Sequence, residues 1–240
     1  MPTVLVTGAN RGLGLELVRQ YRDDGWHVIA CARKPAAATE LQKLAAAQTE
    51  RVEIYALDVT DFAAVDGLAA ALRGRAIDVL LNNAGTMGAQ SFATVGLEAG
   101  KFGAADFTDW AQTFRINTLA PMKMAEAFVE HVARSDQKKI VAVSSIVGSI
   151  AKNNAGGLYA YRASKAALNA IMHSMGIDLA RSHGICAVPL HPGWARTDMG
   201  GERADIDAVA SVTGMRKVIA ALALEKAGRF YMYDGSELPW

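Results

Sequence analysis

Cysteine is scarce in this chain, and its two copies, Cys31 and Cys186, lie far apart and outside any CxxC spacing. A disulfide framework is therefore excluded, and both read as reduced core thiols of a reducing compartment. Histidine is equally thin. The five histidines show no HxxxH spacing and no Cys/His cluster joins them, which disfavours a zinc-dependent mechanism. A surplus of either charge is missing too: the formal charge is +1, so no whole-molecule field draws nucleic acid or an anionic membrane, and any anion recognition must be local. No apolar run reaches the ~18 residues of a membrane span. No basic-then-apolar leader precedes Thr3-Val4-Leu5-Val6-Thr7, which already reads as a buried strand. The expectation is a soluble, cytoplasmic protein. Repeats, charge blocks and linkers are absent as well, so residues 1–240 are expected to form one domain. What is present supports that reading, since 51% apolar and 20% charged residues suffice for a large core.

Strand and helix signals alternate along the chain. Thr3–Thr7 runs into Thr7-Gly8-Ala9-Asn10-Arg11-Gly12-Leu13-Gly14, and Leu15, Leu17, Val18 and Tyr21 follow at helical spacing. Strand, glycine turn and helix in that order are the context of a dinucleotide-binding loop, in which backbone N–H groups meet a pyrophosphate at a helix N-terminus. A second strand, Trp26–Cys31, ends at Ala32-Arg33-Lys34, with none of the acidic residues that would take the ribose hydroxyls of NAD. Arg33, with Lys34 beside it and Arg11 in the loop, instead offers cations to a 2′-phosphate, which favours NADP(H); the alternative is a pair of solvated arginines. A helix is expected over Ala36–Gln48 and a third strand over Val52–Leu57. Asp58, followed by Val59, stands at that strand's C-terminal end, open to either an adenine contact or a capping role.

Phe62–Leu72 reads as helix and Ile77–Leu81 as the fourth strand, opening onto Asn82-Asn83-Ala84-Gly85, small and amide residues that let the backbone pass close to a ligand. Thr86–Asp106 reads as a loop over the cleft. Trp110–Val132 is expected as a long helix kinked at Pro121, with Asn117 a polar residue among apolar ones. Lys139–Val143 is the fifth strand and runs into Ser144-Ser145. Tyr161-Arg162-Ala163-Ser164-Lys165 opens an alanine-rich helix ending near Arg181–Gly184, and its four-residue step puts the Tyr161 phenol and the Lys165 ammonium on one face. A cation there is expected to lower the phenol's pKa from its usual ~10. Ile185–Leu190 is the sixth strand, followed by the turn-rich His191–Gly201, a helix over Asp205–Leu224 and a last strand over Gly228–Tyr233. This alternation predicts an α/β fold, a doubly wound parallel sheet of about seven strands with helices on both faces.

Taken in order, Thr7–Gly14, Asn82–Gly85, Asn117, Ser145, Tyr161, Lys165 and Pro192–Thr197 resemble the classical short-chain dehydrogenases/reductases over essentially the whole chain. Within that family Ser144–Gly148, Tyr159–Arg162, Pro192-Gly193-Trp194 and the tail Asp234–Trp240 look like the carbonyl-reductase-like branch of Sniffer and the C-factor proteins. The resemblance implies an NADPH-dependent reduction of an aldehyde, ketone or quinone, with transfer of the pro-S hydride. Tyr161 would be the general acid, Lys165 would lower its pKa and bind the nicotinamide ribose, Ser145 would hydrogen-bond the substrate oxygen, and Asn117 would hold a water linking Lys165 to solvent. Cofactor contacts would come from Gly8, Asn10, Arg11, Gly12, Leu13, Gly14, Arg33, Asp58, Val59, Asn83, Ala84, Gly85, Tyr161, Lys165, Pro192, Gly193, Ala195 and Thr197. The short segment after Thr197 implies a small lid and loose specificity. The brevity of Ala151–Leu158 leaves room for a homodimer or homotetramer through the Trp110–Val132 and Tyr161–Arg181 helices. The same resemblance admits a second reading, a cofactor-binding signalling or redox-sensing protein on this fold.

Overall fold

The computed structural model describes residues 1–48, 50–89 and 100–240. Among these, strands β1 (Thr3–Thr7), β2 (His27–Ala32), β3 (Val52–Ala56), β4 (Val79–Asn82), β5 (Lys139–Val143), β6 (Cys186–His191) and β7 (Tyr231–Met232) form one sheet in the order β3-β2-β1-β4-β5-β6-β7. Every neighbouring pair is parallel. The chain thus starts mid-sheet, winds outward through β2 and β3, and returns to β4 to wind the other way. The reversal between β1 and β4 opens a crevice at the strands' C-terminal ends.

Helices α1 (Gly12–Asp23), α2 (Thr39–Ala47), α3 (Phe62–Ala71), α4 (Phe107–Phe114), α5 (Ala120–Ala133), α6 (Tyr159–His183) and α7 (Ala208–Ala220) cover the sheet. Because both faces are covered, successive residues of a strand enter different cores. In β1, Val4 and Val6 pack with Leu17, Val212 and Met215 of α1 and α7. Leu5, between them, packs with Val65, Phe128 and Met172 of α3, α5 and α6. That explains why the strands read as continuous apolar runs. No described helix is long and apolar enough to cross a membrane.

The structure departs from the sequence expectations at element ends. Ala36–Gln48 divides into a 3-10 turn at Pro35–Ala37 and α2. The last helix is shorter, Ala208–Ala220, because the Asp207 side chain accepts from the Ala210 N–H and caps it there. The last strand shrinks to Tyr231–Met232, held on one side by β6. The long helix expected over Trp110–Val132 is α4 and α5 joined by a π-helical turn, Arg115–Leu119. Pro121 causes this irregularity: it has no N–H to close the ordinary helical bond onto the Asn117 carbonyl, and the turn just before it widens. Of the expected cleft loop Thr86–Asp106, residues 90–99 lie outside the described residues.

Candidate active site

The glycine loop joins β1 to α1 and is held from beneath by the end of β4. Thr7 Oγ1 accepts from the backbone N–H groups of Asn83 and Ala84, both at 3.0 Å. The Asn83 amide donates to the carbonyls of Thr7 (2.9 Å) and Gly8 (3.2 Å). Asn83 therefore braces the loop through its amide. The packing is close enough that a Cβ on Gly14 would stand 2.1 Å from the Gly8 carbonyl oxygen, a position only glycine can hold. Helix α1 begins at Gly12 with no side-chain cap and no acidic residue in its first turn. Its leading N–H groups thus suit an anion, and the residues present fit a dinucleotide phosphate. Leu13 is partly buried, with its side chain packed against the core.

Asn10, Arg11 and Arg33 are exposed around this loop. Asp58 is half-buried, and one carboxylate oxygen accepts from the Thr60 N–H (2.9 Å) and hydroxyl (2.7 Å) in a local turn, while the helix that follows is capped by Asp61, which accepts from the Ala64 N–H. Although burial raises its pKa, those hydrogen bonds and the charge of Arg33 bring the net shift downward. Val59 is buried beneath it.

Four further residues converge beside the loop from three elements. Asn117, in the π-helical turn, is fully buried; its amide donates to the Thr86 carbonyl (2.8 Å) and Ser164 Oγ (3.0 Å), and its Oδ1 accepts from the Thr86 N–H (2.9 Å). Lys165 is buried on α6, donates to the Val143 carbonyl at 2.8 Å, and holds its Nζ 5.8 Å from the centre of the Tyr161 ring. A Cβ on exposed Gly85 would lie 3.3 Å from Asn117 Oδ1 and 3.6 Å from Lys165 Nζ, so both groups meet at the end of the Asn82–Gly85 segment. Ser145 caps a 3-10 turn, Ile146–Gly148, through the Val147 N–H at 3.4 Å, and its hydroxyl lies near enough to the Tyr161 phenol to pull on its pKa. That turn lies on α6: a Cβ on Gly148 would be 2.8 Å from the carbonyl carbon of Lys165.

The electrostatics differ from the sequence expectation. Tyr161 keeps part of its surface open, but burial of the hydroxyl pushes its pKa up to about 12, with the Ser145 hydroxyl pulling the other way. Burial brings Lys165 down to about 8. Instead of the lowered phenol expected from a cation one turn away, desolvation dominates, because the ammonium sits beside the ring and is engaged by the Val143 carbonyl. Tyr159, two residues earlier, is exposed and stands against Phe102, with ring centres 6.3 Å apart.

The segment after β6 closes the far side. Pro192 and Gly193 are buried, and the Pro192 carbonyl accepts from Ser211 Oγ at 2.6 Å. Ala195 bridges to Ile206. Thr197 Oγ1 accepts from the Gly200 N–H at 3.1 Å, and its methyl group would lie 3.5 Å from a Cβ on Gly12, so this segment reaches the glycine loop. An open cavity of about 570 Å³ is lined by Trp194, Arg196, Thr197, Asp198 and Glu202 among others. Asp198 pairs with Arg11 at 2.5 Å across the cleft, a contact that sequence reasoning missed because no motif joins residues so far apart. It also missed Thr86 and Ser164, which clamp Asn117. Ser164 lies inside the Tyr161–Lys165 motif and could have been found there.

The chain matches the family model described as short chain dehydrogenase over residues 2–207. C-signal of Myxococcus xanthus is 44% identical over 164 residues, which cover 68% of this chain and 93% of that protein. The carbonyl reductase Sniffer of D. melanogaster has a similar structure, with a TM-score of 0.90, 34% identity and 100% of each chain covered. So does the NADPH-bound carbonyl reductase from chicken fatty liver, with a TM-score of 0.89, 34% identity, and 100% of this chain and 99% of that one covered.

Proposed function

Because the chain belongs to the short-chain dehydrogenase family of oxidoreductases, we propose that it is an NADPH-dependent reductase that converts an aldehyde, ketone or quinone to the alcohol, with Tyr161 as general acid. The observation that carries this reading is the convergence of Tyr161, Lys165, Ser145 and Asn117 beside an uncapped glycine-loop helix. Gly8, Asn10, Gly12, Leu13 and Gly14 would hold the pyrophosphate end, with Arg33 and Arg11 at the 2′-phosphate. Asp58, Val59, Asn83, Ala84 and Gly85 would line the adenosine and ribose side, and Pro192, Gly193, Ala195 and Thr197 the nicotinamide end. When bound, NADPH supplies the hydride.

The remaining chemistry belongs to the chain's own groups. Ser145 Oγ orients the substrate oxygen and the Tyr161 hydroxyl toward each other. With its pKa near 12, the phenol keeps its proton at neutral pH and gives it to the oxygen as negative charge develops there. The tyrosinate left behind is stabilised by the Lys165 ammonium, whose pKa of about 8 also lets it pass on a proton. Because the Asn117 side chain is engaged by Thr86 and Ser164, a water linking Lys165 to solvent would sit on its main-chain carbonyl, which Pro121 cannot bond.

A panel of quinones, aromatic aldehydes, ketosteroids and small dicarbonyls, offered with NADPH and with NADH, tests the reading. Turnover with at least one compound, a preference for NADPH, and loss of that preference in Arg33→Ala are expected. No turnover, or an NADH preference, contradicts it. The C-signal match favours the second reading, a cofactor-binding signalling protein, and that reading gains if NADPH binds but nothing on the panel is reduced.

A further inference from the structure

Between Ser145 and Tyr161 the chain makes an excursion whose geometry is unusual. Gly156, Gly157 and Leu158 are three consecutive left-handed residues, with φ of +65°, +64° and +50°. Two glycines take this conformation freely, but a leucine in it costs of the order of 1 kcal/mol or more and persists only where surrounding contacts impose it. Helix α6 begins at the next residue, so this turn sets the angle and height at which Tyr161 enters the site. Backbone packing helps from one side, since a Cβ on Gly100 would lie 3.2 Å from Leu158 Cα. From the other side Asn153 Oδ1 accepts from the Gly156 N–H at 3.0 Å, and one further side chain holds the turn.

That side chain is Arg162. Its Nε donates to the carbonyls of Gly156 and Gly157, both at 3.1 Å, while its backbone N–H donates to Leu158 at 2.8 Å. Its Nη1 reaches in the opposite direction, to the Val147 carbonyl at 3.3 Å, two residues past Ser145. The guanidinium is half-buried, and no carboxylate among the described residues pairs with it. Main-chain carbonyls are therefore its partners, and a planar fork of fixed donors suits three of them on two segments.

We infer that Arg162 is a positioning residue for the reaction: it clamps the Ser145–Gly148 turn to the left-handed turn that launches α6, and so sets the Ser145–Tyr161 geometry. The inference rests on the proposed roles of Ser145 and Tyr161. A misplacement of about 1 Å between reacting groups costs as much as 100-fold in rate, so loosening this clamp acts on kcat and leaves the cofactor loop alone.

The test compares Arg162→Met and Arg162→Lys with the parent protein. Turnover of 9,10-phenanthrenequinone with NADPH is measured beside hydrogen exchange of peptides covering residues 145–158 and the dissociation constant for NADPH. For Arg162→Met the expected results are a kcat about 10- to 100-fold lower, an unchanged NADPH dissociation constant, and faster exchange in both clamped segments. Arg162→Lys, which can still donate to one segment, recovers part of the rate. Unchanged kcat and exchange overturn the inference. So does a general loss of stability and NADPH affinity that the lysine variant does not relieve, since that marks Arg162 as merely structural. If the parent protein does not reduce this quinone, the rate is read on whichever compound of the panel it does reduce; if it reduces none, the proposed function fails, and the exchange data still decide whether the clamp exists.

Discussion

At the scale of single residues, a phenol near pKa 12 and an ammonium near pKa 8 are pushed in opposite directions by the same burial. Desolvation disfavours whichever form is charged, so it keeps Tyr161 protonated and makes Lys165 easier to deprotonate. At neutral pH the phenol therefore rests in its proton-bearing form. A second residue-scale consequence concerns Arg11, which faces Asp198 in the structure although its proposed partner is a 2′-phosphate. Both side chains are exposed, so their pairing contributes only about 0.2–1 kcal/mol. Asp198→Asn is therefore expected to raise NADPH affinity by roughly 2- to 5-fold at low salt, with the gain fading as salt screens it and with NADH affinity unchanged. Equilibrium titration of both cofactors checks this; weaker NADPH binding in the variant contradicts it.

At the scale of elements, the site depends on a close approach. The Ser145 turn lies directly on α6 because Gly148 has no side chain, and an added methyl group meets main-chain atoms that cannot rotate away. Gly148→Ala is expected to cost roughly 1–3 kcal/mol of stability and to lower kcat, as read by denaturant unfolding and steady-state rates; full activity at parental stability contradicts the packing argument. The glycine loop, the strands and the Tyr161 helix were legible in the sequence because each follows from local chemistry: apolar runs, a turn between strand and helix, and a helical repeat. Element ends were less so. The π-helical turn at Arg115–Leu119 is encoded by Pro121, but a proline signals only that a helix is disturbed and not how its carbonyls are re-bonded. The clamps on Asn117 from Thr86 and Ser164, and the Arg11–Asp198 pair, join residues distant in sequence and leave no periodic trace. The phenol's raised pKa was also out of reach, because the sequence shows the neighbouring lysine but not the depth of the hydroxyl.

At the scale of the whole molecule, one sheet carries every part of the site, and we propose that residues 1–240 unfold as a single unit. Its stability is expected to depend on acid through His191 at the end of β6. This imidazole is buried, its Nδ1 has no hydrogen-bond partner among the described residues, and burial holds its pKa at about 4 against 6.5 in the open chain, with Asp234 pulling it upward. The unfolded chain therefore binds the proton first, so this contribution is complete above pH 6.5 and is lost as pH falls toward 4. The loss amounts to roughly 2–4 kcal/mol, and urea unfolding of the parent and His191→Asn across that range should show it in the parent only. An equal acid dependence in both assigns the effect to other groups.

The sheet brings the ends of β1, β4 and β5 to one crevice, where on the proposed reading the Tyr161 phenol would meet a substrate carbonyl beside the glycine loop. Replacing Tyr161 with Phe removes only that hydroxyl. NADPH-driven turnover is predicted to fall by about 10²–10⁴-fold, while NADPH titrated against the same variant binds as it does to the parent; carbonyl reduction that survives the substitution contradicts Tyr161 as the proton donor.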